Sequence, residues 1–77
     1  MISAGEFRNG VTFDVDGGSA VDAQTVEEGN KATKPADPTK SGYTFGGWYK
    51  EDTFTTTFDF TTETIAADTT VYAKFTA

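Results

Sequence analysis

The chain has 77 residues and a formal net charge of −6, with seven Phe, three Tyr, one Trp and neither cysteine nor histidine. A domain this small has little stability to spare, and without those two residue types no disulfide or ordinary zinc site can supplement its core. The acidic balance disfavours nucleic acid and anionic membrane surfaces, and no apolar run approaches the ~20 residues of a membrane helix, so neither nucleic-acid binding nor membrane insertion is expected.

Residues 1–10 read as a vector-derived or flexible start, because MISAGEF lacks the apolar stretch of a signal peptide. Residues 11–77 read as one domain. VTFDV (11–15) alternates, with Val11, Phe13 and Val15 on one side and Thr12 and Asp14 on the other, which is the pattern of a half-buried strand. DGG (16–18) tolerates positive φ and ends that strand in a turn. AVDAQTV (20–26) is a weaker second strand, antiparallel to the first, and EEGN (27–30) breaks it. Pro35 and Pro38 in KPADPTKSG remove backbone donors and constrain the residues before them, so this stretch is an extended crossover with at most one turn of helix.

YTFGGWY (43–49) is the strongest strand signal. Simple alternation would put Phe45 and Trp48 on opposite faces; a bulge at Gly46–Gly47 would shift the phase and aim both into one core. KEDTFTTTFDF (50–60) reads as a loop tied down by Phe54, Phe58 and Phe60. VYAKF (71–75) is a last alternating strand with Val71, Ala73 and Phe75 on one side. The class is mainly β, with the abundant threonines favouring pleated surface over helix.

Aromatic rings bury on the order of 150–250 Å² each and are the main supply of core, to which Phe13, Phe45, Trp48, Phe60 and Phe75 are assigned. Tyr43 and Tyr49 carry a hydroxyl and are the first candidates for an interaction surface. The segment 31–50 holds Lys31, Lys34, Lys40 and Lys50 against Asp37 alone; it is either a docking face for acidic groups or a solvated lysine-bearing stretch. DVDGG opens like a calcium loop, but Ser19 stands where Gly is needed and Thr25 where a closing Glu belongs. Glu27–Glu28 and Glu51–Asp52 are adjacent pairs that do not converge on a strand. No catalytic residue, cofactor or metal ligand is assigned, and no enzyme is expected.

Taken in order, VTFD with a GG turn, QTVEEG, KP-x-DPT-x-x-GYTF, GWY, FDF and ADTTVYAKF resemble the Listeria–Bacteroides repeat, the B-repeat of internalin-type proteins, from Val11 to Phe75. Gly46 stands where a polar residue is usual before GW, and Phe75 where Trp is. The resemblance implies a small β-grasp-like (ubiquitin- or SUMO-like) mixed sheet with little or no helix. It also implies a non-catalytic unit of a large Gram-positive surface protein, outside the cell between adhesive domains and wall anchor. Such a unit acts as a spacer and protein-interaction module in adhesion to host cells. Its partners would be flanking repeats or domains and an unidentified host protein or glycan, with the isolated domain a monomer. The competing reading is a carbohydrate or acidic-polymer module built on Tyr43, Tyr49 and the four lysines.

Overall fold

The computed structural model describes residues 7–77. Four strands, β1 (Arg8–Asp14), β2 (Gln24–Glu27), β3 (Thr44–Tyr49) and β4 (Thr69–Thr76), form one sheet in the order β2-β1-β4-β3. β1 pairs with β2 and β3 with β4 antiparallel, whereas the central pair β1–β4 is parallel, with Val11 opposite Thr69 and Asp14 opposite Tyr72. No helix occurs among the described residues. The expected mainly-β class and mixed sheet are therefore what the chain adopts.

The boundaries differ most from the sequence pattern in β1 and β2, and β4 runs from Thr69, two residues ahead of VYAKF. Part of the proposed start, residues 8–10, belongs to β1; residues 1–6 lie outside the described residues. Arg8, Asn9 and Gly10 have poor strand propensity, but β2 supplies them with partners at Glu27, Val26 and Thr25. β2 itself begins only at Gln24. Upstream of it the Asp16–Gly17 turn takes positive φ, and Ser19 leaves the sheet to exchange hydrogen bonds with Thr39 through its amide and hydroxyl.

The inner face of the sheet carries Val11, Phe13, Val26, Trp48, Val71 and Ala73, all buried. Irregular chain replaces the helix that would ordinarily cover such a face. Ala32 and Pro38 come from the crossover, Phe58 from the loop after β3, and Ile65 from the segment before β4. The most fully enclosed side chains are aliphatic: Ile65, Val11 and Val71. Phe13 and Trp48 are buried, while Phe45, Phe60 and Phe75 are partly buried around that centre. Ile65 is fixed by two backbone bonds, its amide to Asn30 O and its carbonyl to Gly29 N, both 2.8 Å.

The register between β3 and β4 shifts between Phe45 and Gly47, and Gly47 adopts φ +115°. This bulge brings Phe45 and Trp48 to the same face, their ring centroids 5.3 Å apart and tilted by 67°. Phe13 also meets the indole edge-to-face, at 5.1 Å. Edge-to-face pairs of this kind add about 0.5–1.5 kcal/mol beyond their buried area. A second glycine is needed for space: a Cβ on Gly18 would lie 2.7 Å from the ring of Phe75.

The loop after β3 folds back on that strand, with Phe58 N donating to Trp48 O and Lys50 N to Thr56 O. Two carboxylates pin it. Glu51 accepts from the Thr56 amide, which holds its pKa below the ordinary value. Asp59 accepts first from the Thr61 hydroxyl and then from the Thr61 amide, which lowers its pKa likewise.

Two outcomes follow from these features. Gly47→Ala forces a side chain into a region that L-residues avoid and should cost about 1–3 kcal/mol, read as a lower urea midpoint. Gly46→Ala, with ordinary φ and a nearest approach of 3.5 Å, should shift the midpoint far less. Because both carboxylate pKa values are depressed by folding, their contribution is present above the ordinary carboxylate range and is lost as pH falls below about 4. Thermal melts of Asp59→Asn should therefore show a weaker loss of stability on acidification than the parent.

Candidate functional site

Three surface features gather the side chains that could meet a ligand. The first is a recess of about 340 Å³ between β3 and its returning loop, lined by Phe45, Gly47, Trp48, Phe58, Phe60 and, at the polar side, Lys34, Thr57, Asp59 and Thr61. The returning loop forms its far wall, crossing the strand from Trp48 onward, where Phe58 N donates to Trp48 O. Gly47 contributes backbone only, since a Cβ there would point to the Tyr49 ring, 3.8 Å away on the outer face. The indole is 4% exposed, so it forms wall rather than an open platform. Its Nε1–H is buried and has no hydrogen-bond partner among the described residues. The volume is at the lower end of small-molecule sites, which span about 300–1,000 Å³. Asp59 is held ionised by Thr61, so the recess offers apolar rings with one cation and one anion among its lining groups.

The second feature is Tyr43, 46% exposed, with the Lys40 ammonium 4.4 Å from its ring centroid. Lys40 also donates to Asp16 O at 2.9 Å and stands 5.8 Å from the Phe75 ring. It therefore joins the end of the crossover to the turn after β1 as well as presenting a cation–π pair.

The third lies on the outer face of the sheet. Tyr49 faces Tyr72 across the β3–β4 ladder, meets Phe54 edge-to-face at 5.7 Å, and has the Lys74 ammonium 5.7 Å from its ring. Phe54 takes φ +56°, a strained conformation for a bulky residue that this aromatic contact helps to hold. Asp14, Asp16 and Asp52 border the same face. Asp14 Oδ1 accepts the Asp16 amide at 3.0 Å, which gives the D-x-D spacing a structural use as a turn cap. No group of metal-type donors suited to an ion occurs among the described residues.

The residues expected to form one interaction surface are thus distributed. Tyr43 and Tyr49 flank β3 at opposite ends, roughly 20 Å apart at ~3.3 Å per residue, and belong to separate clusters. Lys31 is exposed at the start of the crossover, Lys34 lines the recess, Lys40 bonds to Asp16, and Lys50 pairs with Glu63 on the surface. The recess was not legible as a unit, because Lys34 and the FDF aromatics converge only through tertiary folding. The GGW bulge followed by two Phe flanking Asp59 was the signal available.

The sequence profile of the Listeria-Bacteroides repeat domain matches residues 10–74. A protein of Evansella cellulosilytica named as a Gly-rich membrane protein is 42% identical over 65 residues, covering 84% of this chain and 8% of its own length. A second membrane-named protein of the same organism is 40% identical over 65 residues, 84% of this chain and 10% of its own length. Internalin H of Listeria monocytogenes is 46% identical over 65 residues, 83% of this chain and 12% of its own length. The chain thus spans about a tenth of each of these relatives, and it belongs to the Listeria-Bacteroides repeat family.

Proposed function

We propose that this repeat is a non-catalytic spacer and protein-interaction unit of a larger bacterial surface protein, exported to the cell surface or wall and engaged in adhesion to host cells. The observation that supports the spacer role most is the parallel pairing of β1 with β4. Because the two strands run the same way side by side, the chain enters the domain at one end and leaves it at the other. At ~3.3 Å per residue the ladder advances the chain roughly 33 Å from Arg8 to Thr76. Repeats joined in series then add length instead of folding back. The relatives, in which one such segment is about a tenth of the protein, fit a module with neighbours on either side.

The protein-interaction role falls to the sheet edges, which offer backbone donors and acceptors without a side-chain motif. The last part of β3 is already covered by the returning loop, and Gln24 at the start of β2 spends its side-chain amide on the backbone of Thr33. The Glu27 carbonyl already accepts from Asn30 N, which leaves Thr25 and the Glu27 amide of β2 and the first half of β3 as the edges for a partner strand. We also read the sheet order, with the parallel central pair and an irregular crossover where a helix would sit, as a reduced β-grasp.

A carbohydrate or acidic-polymer role has one observation in its favour, the aromatic recess with Lys34 among its lining residues. Under that reading the binding groups move from Tyr43 and Tyr49 to Phe45, Trp48, Phe60 and Lys34.

Small-angle scattering separates the spacer role from a compact assembly. Two copies in series should extend the maximum dimension of one copy by roughly 33 Å, whereas no growth would contradict it. For the second reading, Trp48 is the sole tryptophan and reports on the recess. Uronic-acid oligosaccharides should then shift its fluorescence in a salt-sensitive way that Lys34→Ala abolishes. An unchanged spectrum across the titration removes the carbohydrate role.

A further inference from the structure

We infer that the domain is built to bear tension along the chain, with the β1–β4 pair acting as a shear clamp. The inference goes beyond spacing: a spacer needs only length, whereas this arrangement resists extension. The chain enters β1 at Arg8 and leaves β4 at Thr76, and these strands are parallel nearest neighbours in the middle of the sheet. Pulling the two chain ends apart slides β1 against β4 along their common axis. Every hydrogen bond between them is then loaded at once. A pair pulled open from one end breaks its bonds one after another.

The backbone alternation defines the clamp. The Glu28 amide donates to Phe7 O, which sets residues 7 and 28 as a hydrogen-bonded pair in the β1–β2 ladder. Counting on by twos, Asn9 and Val11 direct their backbone groups to β2, so Gly10, Thr12 and Asp14 direct theirs to β4. Gly10 N does so by donating to Asp68 Oδ1 at 2.8 Å, just ahead of the first β4 residue. This bond to a carboxylate lengthens the clamp at the end where tension arrives through Arg8. Val11 and Val71 are fully buried on the inner face of the same pair, which keeps water from replacing the ladder bonds as they stretch. β2 and β3 flank the pair and lie off the direct load path.

Single-molecule force spectroscopy on the whole chain tests this. The protein has no cysteine, so handles attached through introduced thiols are unambiguous. Handles at the two chain ends load the clamp in shear. Handles at Thr44→Cys and Thr76→Cys, which stand opposite each other in the antiparallel β3–β4 pair, peel that pair from one end. Forced unfolding reports the unfolding barrier, so the end-to-end rupture force should exceed the peeling force by roughly twofold or more. Thr12→Pro, which removes a β1 amide facing β4, should lower the end-to-end force. Asp68→Ala should do the same if the proline variant fails to fold. Phe58→Ala, buried but off the clamp, should lower the melting temperature and leave the end-to-end force nearly unchanged. Equal forces in the two geometries would overturn the inference. So would an end-to-end force that follows overall stability across the variants. The force contrast is measured on a single copy, so it can fail while a tandem remains extended, and the reverse.

Discussion

The parallel pairing of β1 with β4 is the constraint around which the molecule is arranged. Two neighbouring strands that run the same way cannot be joined by a tight turn, so the chain between Asp14 and Thr69 must travel out and return. In this protein that single excursion contains β2, the crossover, β3 and both loops. Ordinarily a helix makes such a return and covers the sheet. Pro35 and Pro38 deny the crossover a regular helix, and the cover is assembled instead from Ala32, Pro38, Phe58 and Ile65. The absence of a helix and the burial of short loop anchors are two results of one requirement.

The aromatic residues act mainly as a shell around an aliphatic centre. Phe13, Phe45 and Trp48 interlock through tilted contacts, and the loop adds Phe58 and Phe60, 4.8 Å from each other, with Phe60 6.4 Å from Phe13. The bulge at Gly47 makes that shell possible by turning Trp48 inward, where the indole becomes one wall of the recess. Packing and the candidate ligand site thus share an origin. A side chain at Gly47 would remove the geometry on which both rest.

Much of this was legible in the residues. Alternation located β1, β3 and β4, the prolines identified the crossover, and the Gly46–Gly47 pair identified the bulge because the tryptophan would otherwise face the wrong way. What was not legible depended on distant partners. Arg8–Gly10 is a strand only because β2 lies beside it, and Ile65, a lone apolar residue among threonines and acids, is buried only because Gly29 and Asn30 hold its backbone. The candidate sites followed the same division. Tyr43 is exposed, as a ring carrying a hydroxyl suggested, but its separation from Tyr49 is set by the strand between them. The four lysines share a stretch of sequence and little else: two are committed to Asp16 and Glu63, and one belongs to the recess.

Amide hydrogen exchange in the native state tests the central claim most directly. If β1–β4 is the element on which the rest depends, the β4-facing amides of Thr12 and Asp14 should exchange only through global unfolding, with a free energy equal to that of the whole domain. Amides of β2, the loop after β3 and the crossover should open earlier. Exchange of the Thr12 and Asp14 amides through local opening, while β2 or β3 stays protected, would contradict the account.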